Sequence, residues 1–248
     1  MAEVSTLPYR FVYVTLTGEH LYGMAAPDSD YDVRAMHVLP ARAVAGLRAP
    51  PQTVAYTGHR QGLDFEFVSH EMRSVCLMLL KKNGNVLEQI FSPLVVHTTP
   101  EHEELKEIAL SCANTHMAYH FLSHARMQWS LFEERRPLRV KGLLYSLRVL
   151  LTGIHLLRTG EVEASLLQLH EVFSLDYLPG LVERRREEGE DARLRRDETG
   201  FLCEEYGRLR SELEHAERQS ALPPLAPDAA RERLDELLVR LRLGDADA

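Results

Sequence analysis

TGEHLYGMAAPDSDYDVR, residues 17–34, follows one apolar run and leads into a second, and it decides how the first half of the chain is interpreted. The runs over residues 9–16 and 31–38 have the apolar content that is typical of buried strands. Between them, residues 18–25 start at a glycine and predict a short helix, and Pro27 begins a polar turn. The stretch is therefore predicted to fold as strand, short helix, turn and strand.

Two carboxylates stand one residue apart where the second strand begins. Side chains at positions i and i+2 of a strand point to the same face, roughly 6.6 Å apart, so Asp30 and Asp32 converge there. Tyr31 and Val33 alternate with them and are predicted to face the core. Carboxylate oxygens are ligands that hard divalent cations prefer, so this face predicts a site for a divalent metal ion.

Several segments of the chain resemble one known family. A helix that starts at glycine and leads to an Asp-x-Asp strand is similar to the polymerase-β-like nucleotidyltransferase superfamily. Within that superfamily, the strings TGEHLYG and PDSDYD resemble the RNA-repair-pathway DNA polymerase beta family. Later segments extend the resemblance over about residues 10–160, namely VSHE at 68–71, LLKKNGNVLE at 79–88, and KGLLY at 141–145 continuing through Arg148 to LTG at 151–153.

The resemblance implies a nucleotidyltransferase that uses Mg²⁺ or Mn²⁺ and a nucleoside triphosphate, with Asp30 and Asp32 as metal ligands. A third carboxylate is expected on a strand over residues 63–68, where strict alternation puts Asp64 and Glu66 on one face. The spacing to VSHE makes Glu66 the first choice and Asp64 the second. Glu66 would also help the attacking hydroxyl to lose its proton. The alternative without a catalytic role is that Asp30, Asp32 and Glu66 are solvent-exposed acidic residues of turns and edge strands.

The start of the short helix carries a phosphate-binding feature and one departure from the family pattern. Gly18 lets the backbone approach a bound nucleotide closely, and amides at a helix N-terminus favour phosphate. The superfamily usually has a serine next, which contacts nucleotide phosphate, whereas this chain has Glu19. A carboxylate repels a triphosphate, so Glu19 is expected to turn away, to bind metal, or to mark lost or altered nucleotide use.

A basic segment offers a further nucleotide-binding surface. Residues 126–148 hold six basic and two acidic residues, a net charge of +4 in a chain of net charge −8, so a polyanion would meet this surface first. Lys141, Tyr145 and Arg148 lie at i, i+4 and i+7 on one face of a predicted apolar helix over residues 138–158. The resemblance favours a role in holding the triphosphate or stacking the base, and a solvated helix face is the alternative.

Two groups upstream of this helix have both a functional and a structural interpretation. His116, His120 and His124 share one helix face, and such histidines can ligate zinc or contact RNA phosphates. Packing or a polar groove is favoured, because no cysteine or carboxylate stands at a suitable spacing. Trp129 and Phe132 could form a stacking platform, but burial in the core is favoured.

The whole sequence predicts an α+β protein with the polymerase-β-like nucleotidyltransferase fold, in which a small mixed sheet with flanking helices is followed by a helical C-terminal bundle. The predicted domains are a catalytic domain over residues 1–98 and a helical domain over residues 99–248. Further strands are expected at residues 53–57 and 63–68, with a polar turn between them. Predicted helices cover residues 71–81, 85–91, 101–132 as one segment or two, 138–158, 163–173, 178–188, 195–218 and 228–243.

Three local features of these helices are also predicted. Ser69 is expected to cap the helix over residues 71–81, and Asn83 and Gly84 are expected to end it. Residues 184–196 mix charges of both signs and are expected to be a solvated loop or helix end.

Composition limits the class of protein. A chain of 248 residues with 45% hydrophobic and 27% charged residues is ordinary for a globular protein. It has no run of 18 apolar residues and no signal-peptide pattern, so no membrane partner is predicted. Cys76, Cys112 and Cys203 are odd in number and widely spaced, which predicts reduced core residues. A cytoplasmic location is expected, and the oligomeric state stays open.

The expected activity is metal-dependent transfer of a nucleoside monophosphate from an NTP to a hydroxyl, with release of pyrophosphate. Family context suggests an RNA end, such as that of tRNA, as the acceptor. Two alternatives remain. One is a nucleotide-binding regulator or a toxin–antitoxin component that modifies a protein. The other is a degenerate module that binds nucleotide or RNA without turnover, which Glu19 motivates.

Overall fold

The computed structural model describes residues 9–47 and 50–244, which contain five strands and eleven α-helices. The strands are β1 (Arg10–Thr17), β2 (Tyr31–Val38), β3 (Thr53–Arg60), β4 (Leu63–Glu71) and β5 (Val95–Thr98). The helices are α1 (Gly18–Leu21), α2 (Ala41–Val44), α3 (Met72–Leu80), α4 (Gly84–Phe91), α5 (Pro100–Ser111), α6 (Met117–Glu134), α7 (Val140–Thr159), α8 (Leu166–Phe173), α9 (Leu178–Glu188), α10 (Arg196–Gln219) and α11 (Asp228–Leu243).

The strands form one mixed sheet in the order β3-β4-β2-β1-β5. β2 and β4 run parallel, and the other neighbouring pairs are antiparallel. The predicted α+β class with a small mixed sheet is therefore confirmed. The sequence did not predict β5. The predicted turn at residues 58–62 is shorter than expected, because only Gln61 and Gly62 lie between β3 and β4, and both have the positive φ of a tight hairpin turn.

One face of the sheet carries an apolar cluster. Phe11, Val14, Ala35 and Phe67 are buried together, and Val33 packs against them. Val33 thus faces a core, as predicted. Because successive strand residues point to opposite faces, the side chains of the neighbouring even-numbered positions of β2 lie on the other face, where the candidate site is located.

The chain divides into two compact units. Among the described residues, one unit holds residues 9–18, 30–47, 50–112 and 226–244, and it contains the sheet. The other holds residues 19–29 and 113–225, and it contains α6 to α10. The boundaries of these units differ from the predicted domain boundary between residues 98 and 99. The division into domains 1–98 and 99–248 stays a prediction.

The predicted N-cap of α3 is wrong, although the predicted bounds, residues 71–81, lie within one residue of Met72–Leu80. Ser69 does not cap this helix, because β4 continues to Glu71, and Ser69 lies buried in the strand. The cap is Glu71, whose side chain accepts a hydrogen bond from the Arg73 amide at 2.8 Å. At the other end, the Asn83 amide donates to the Met78 carbonyl oxygen at 3.1 Å and closes the last turn of α3, as predicted. The Asn83 side chain also accepts a hydrogen bond from the Asn85 amide at 3.1 Å and so caps α4, which begins at Gly84.

α7 is the core helix of its unit. It ends at Gly160, which takes the left-handed conformation (φ 76°) common after helix C-termini. By length and composition alone α7 could cross a membrane, although 78% of its most apolar window is buried inside the unit. That burial is what a core helix shows. The prediction for the cysteines is wrong at one position, since Cys203 is exposed while Cys76 and Cys112 are buried.

Candidate active site

The parallel pair β2 and β4 brings two of the predicted metal ligands together. Asp32 lies directly opposite Glu66 in the register of this pair, so both side chains leave the sheet on the same face. On its other side, Asp32 lies opposite Thr17, the last residue of β1. Asp30 immediately precedes β2 and is exposed.

Arg34 lies between the two facing carboxylates, which the sequence interpretation missed. Its Nη2 atom donates to Asp32 Oδ1 and to Glu66 Oε2, at 2.8 Å in each case. Its Nη1 atom lies 3.2 Å from the carbonyl oxygen of Val33. The signal was available, because Arg34 follows Asp32 by two residues and so shares its face.

Asp32 sits in an environment that disfavours its charged form. Burial raises the pKa of Asp32, Arg34 acts to lower it, and Asp30 and Glu66 raise it again, so the net shift is upward. Burial is the largest cause of this shift, and the Arg34 guanidinium does not offset it.

Gly18 is required by the position of Asp32. Its φ is +65°, a conformation that side-chain-bearing residues rarely adopt. A Cβ atom at this position would lie 1.9 Å from Asp32 Oδ2, well inside contact distance. The glycine thus leaves the space that the Asp32 carboxylate fills.

Asp64, the second choice for a third ligand, has a different environment from Glu66. Its side chain is largely exposed and pairs with His59 Nδ1 at 2.7 Å across the β3–β4 hairpin. The register that places Glu66 opposite Asp32 begins at Phe65, one residue after Asp64. The choice between the two carboxylates stays a prediction, and the strand register favours Glu66.

The donor chemistry of these residues suits a hard divalent cation. All three predicted ligands offer carboxylate oxygens, and the Asp30 and Glu66 carboxylates each act to raise the pKa of Asp32, a repulsion that a cation would relieve. Within the residues that the structure describes, however, no group of three or more His, Cys, Asp and Glu side chains is arranged to hold a metal ion. Arg34 holds Asp32 and Glu66 instead.

In the helical unit, Glu19 turns towards two cations. Its carboxylate contacts Lys141 Nζ and Arg185 Nη2, at 2.7 Å in each case, and it accepts a short hydrogen bond from the Ser29 hydroxyl. Glu19 is 4% exposed and Arg185 is fully buried. Glu19 is therefore buried and neutralised by these partners, and its relation to a bound triphosphate or metal stays a prediction.

The partners of Glu19 are themselves part of a larger ionic cluster. Lys141 also contacts Glu190 at 2.5 Å, and Arg185 contacts Glu190 and Asp28, at 3.3 Å in each case. Burial acts to lower the pKa of Lys141, but its contacts with Glu19 and Glu190 outweigh it and raise the pKa. The Glu190 amide and Arg185 hold the pKa of Asp28 below its usual value. The sequence placed Arg185 in a solvated segment, which is wrong for this residue.

Lys141, Tyr145 and Arg148 do not share an exposed surface. Arg148 is 1% exposed, and its guanidinium carbon lies 3.8 Å from the centre of the Tyr22 ring, a cation–π geometry. Tyr22 in turn makes an edge contact with Tyr145, at 5.7 Å between ring centres. Lys141 and Tyr145 are only partly buried, and both line a cavity.

This cavity has a volume of about 150 Å³ and combines basic and apolar walls. It is lined by Gln128, Leu131, Phe132, Arg135, Arg139, Lys141, Gly142, Tyr145 and Glu190. Two of its cations already have acidic partners, because Arg139 contacts Asp191 at 3.2 Å and Lys141 contacts Glu190. The basic segment predicted from the sequence thus contributes three cations to one concave surface, and they are partly neutralised there.

Trp129 and Phe132 pack within the helical unit. Phe132 is buried, and Trp129 stacks on Tyr206 with 3.9 Å between ring centres and 10° between planes. The predicted burial in the core is confirmed for Phe132, whereas Trp129 is only partly buried. His120 and His124 lie with their ring centres 5.8 Å apart on α6.

The VSHE segment has structural contacts in the sheet unit. The Ser69 hydroxyl lies 2.7 Å from His37 Nδ1, and Glu71 pairs with Arg242 at 2.6 Å. Burial lowers the pKa of His37 to about 4, although Glu71 acts in the opposite direction. These contacts tie β2, β4 and α11 together and so support the strands that carry the carboxylates.

Comparison with known proteins identifies relatives of this chain. The family model for the RNA repair pathway DNA polymerase beta family matches residues 2–240. An uncharacterized protein of Methanocaldococcus jannaschii is 29% identical over 153 residues, which are 62% of this chain and 63% of that protein, less than two thirds of its length. The crystal structure of a nucleotidyltransferase-like protein from Exiguobacterium sibiricum 255-15 aligns with 11% identity and a TM-score of 0.32, covering 88% of this chain and 72% of that one. A structural similarity at this level supports no inference.

Proposed function

Because the chain belongs to the RNA repair pathway DNA polymerase beta family, we propose that it transfers a nucleoside monophosphate from an NTP to a hydroxyl group and releases pyrophosphate. The proposed acceptor is an RNA end, such as that of tRNA. The observation that carries the proposal is the pairing of Asp32 with Glu66 across two parallel strands, with Gly18 packed against the Asp32 carboxylate.

We assign the carboxylates the roles that this reaction requires. Asp30, Asp32 and Glu66 would hold Mg²⁺ or Mn²⁺, which when bound supplies positive charge for the attacking and leaving oxygens. Glu66 has the more exposed side chain of the facing pair and would take the proton of the acceptor hydroxyl at a carboxylate oxygen. Asp32 is held in place by its neighbours in β1 and β4.

Each unit carries, on its own grounds, residues that we propose for nucleotide binding. Gly18 would contribute its backbone beside the Asp32 carboxylate, which fills the space that a side chain would take. From the walls of their cavity, Lys141 would provide a cation for a phosphate group, and Tyr145 would provide an aromatic ring on which a base could stack. Glu19 would fix Lys141 in place, and Arg148 would fix Tyr145 through Tyr22, so both act as positioning residues.

The test is incorporation of label. Purified protein is incubated with Mg²⁺ or Mn²⁺, each α-labelled NTP and dNTP, and total cellular RNA. Label is expected in RNA and is expected to vanish in Asp30→Ala/Asp32→Ala. Glu103→Gln, which changes an exposed carboxylate on α5 far along the chain from the site, is the matched control and is expected to keep the activity. Unchanged labelling by the double variant would exclude the proposed mechanism.

A degenerate binding module is the second candidate, because Arg34 holds the carboxylate pair and Glu19 stands where the superfamily usually has a serine. Such a protein would bind nucleotide or RNA without label transfer. Nucleotide binding would still stabilise it, by about 2.7 kcal/mol at a ligand concentration of 100 times the dissociation constant. Label found in protein rather than RNA would instead identify a protein modifier.

A further inference from the structure

The guanidinium group of Arg34 lies between the carboxylate groups of Asp32 and Glu66. A single nitrogen atom, Nη2, lies 2.8 Å from an oxygen of each carboxylate. The remaining contacts of the guanidinium are longer, since Nη1 lies 3.2 and 3.4 Å from the carbonyl oxygens of Val33 and Glu66. The two carboxylates are therefore the main partners of this cation.

We propose that Arg34 is the built-in counter-ion of the Asp32–Glu66 pair, and that a divalent cation displaces its guanidinium in order to bind. The inference rests on the metal dependence in the proposed function. The physical reason is competition, because the carboxylate oxygens that face Nη2 are the ones that a cation shared by both residues would need.

The exposure of the three side chains makes such an exchange feasible. The side chain of Arg34 is 18% exposed, and those of Asp32 and Glu66 are 21% and 43% exposed. Solvent therefore reaches the pair, and the guanidinium can leave without opening the apolar cluster, which lies on the opposite face of the sheet.

The arrangement has two consequences. Without metal, Arg34 compensates the repulsion between Asp32 and Glu66, so the strands can pair before any ion binds. With metal, the incoming ion must outcompete a hydrogen-bonded guanidinium, which a doubly charged cation does better than Na⁺ or K⁺. Arg34 thereby sets the affinity of the site for divalent cations.

The test is direct binding of Mn²⁺, measured by calorimetry or by electron paramagnetic resonance at pH 8 without nucleotide. The dissociation constant for Mn²⁺ is expected to fall at least about tenfold in Arg34→Gln, because the competing cation is gone. Arg10→Gln is the matched control, since Arg10 also pairs with a glutamate, Glu101, but at the other end of β1. It is expected to bind Mn²⁺ as the wild type does.

A second measurement uses the unaltered protein, in case Arg34→Gln does not fold. The side-chain Nε–H signal of Arg34 is followed by ¹⁵N NMR during titration with Mg²⁺. The proposal expects this signal to shift with the metal while that of Arg10 stays in place. An unmoved Arg34 signal at saturating Mg²⁺, or Mn²⁺ binding by Arg34→Gln that is equal to or weaker than wild type, overturns it. Failure of label transfer together with Arg34-dependent Mn²⁺ binding would count against the proposed function alone.

Discussion

Glu19 and Arg185 form a buried ion pair, with 2.7 Å between Oε2 and Nη2, although 166 residues separate them in sequence. A serine at position 19 would suit the superfamily pattern but would leave the fully buried Arg185 without its closest carboxylate. The glutamate is thus part of how this helical unit folds, because a buried guanidinium without a compensating charge is strongly destabilising.

Glu19→Ser is therefore expected to lower the free energy of unfolding of the helical unit by about 3 kcal/mol. This loss lies at the lower end of the range for removing one partner of a buried ion pair, because Asp28 and Glu190 remain 3.3 Å from Arg185. Urea unfolding followed by the fluorescence of Trp129, in the same unit, measures it. Glu190→Gln changes a half-exposed partner and is expected to cost less than about 1 kcal/mol. Equal stability of Glu19→Ser and wild type would show that Glu19 does not compensate the buried charge of Arg185.

Gly18→Ala is expected to displace the Asp32 carboxylate, since the new Cβ would lie 1.9 Å from Oδ2. Label transfer should fall on the order of a hundredfold, as expected when a reacting group is misplaced by about 1 Å. Gly62→Ala is the matched control, because Gly62 also has a positive φ but has open space around its Cβ position. It should cost about 1 kcal/mol of stability and leave transfer intact. Similar transfer rates for the two variants would show that the overlap with Asp32 is unimportant.

Glu66→Gln and Asp64→Asn test which carboxylate completes the site. Glu66 lies opposite Asp32, whereas Asp64 is exposed and pairs with His59. Glu66→Gln is expected to slow transfer on the order of 10²–10³-fold, the loss typical of removing one group that stabilises transition-state charge. Asp64→Asn should stay near the wild-type rate. The opposite ranking in a side-by-side rate measurement would make Asp64 the functional residue.

Acid is expected to weaken the sheet unit through His37. Its pKa is about 4 in the folded protein and about 6.5 when unfolded, so the unfolded chain takes up a proton first as the pH falls. The contribution is present above pH 6.5 and is lost towards pH 4, with about 2 kcal/mol gone at pH 5 relative to pH 7. An NMR titration of the imidazole should give a midpoint near 4, and His37→Gln should reduce the pH dependence of unfolding. A midpoint near 6.5 would contradict the buried, neutral state.

Local sequence signals predicted several elements closely. β2 (Tyr31–Val38) and α11 (Asp228–Leu243) have the predicted bounds, because a turn precedes the first and a proline-rich segment with a leucine stripe marks the second. β5 (Val95–Thr98) was missed because it has four residues and takes its conformation from pairing with β1, which is distant in sequence. Short edge strands of this kind carry little pattern of their own.

The two charged clusters show what a sequence can and cannot reveal about a site. Arg34 follows Asp32 by two residues, so the rule that paired Asp30 with Asp32 also places Arg34 on that face. Arg185 gave no such signal, because its segment mixes charges as solvated helix ends do, and only tertiary folding brings it to Glu19. Burial likewise separates Arg148 from Lys141, although helical spacing puts them on one face.

We propose that Asp32, opposite Glu66, is a metal ligand in nucleotidyl transfer. The most direct measurement is the single-turnover rate of pyrophosphate release by Asp32→Asn, with the NTP and acceptor that the labelling screen identifies and with saturating Mn²⁺. We predict a rate lower on the order of 10²–10³-fold than that of wild type and of Glu103→Gln, with unchanged folding. A folded Asp32→Asn protein that releases pyrophosphate at the wild-type rate would contradict the claim.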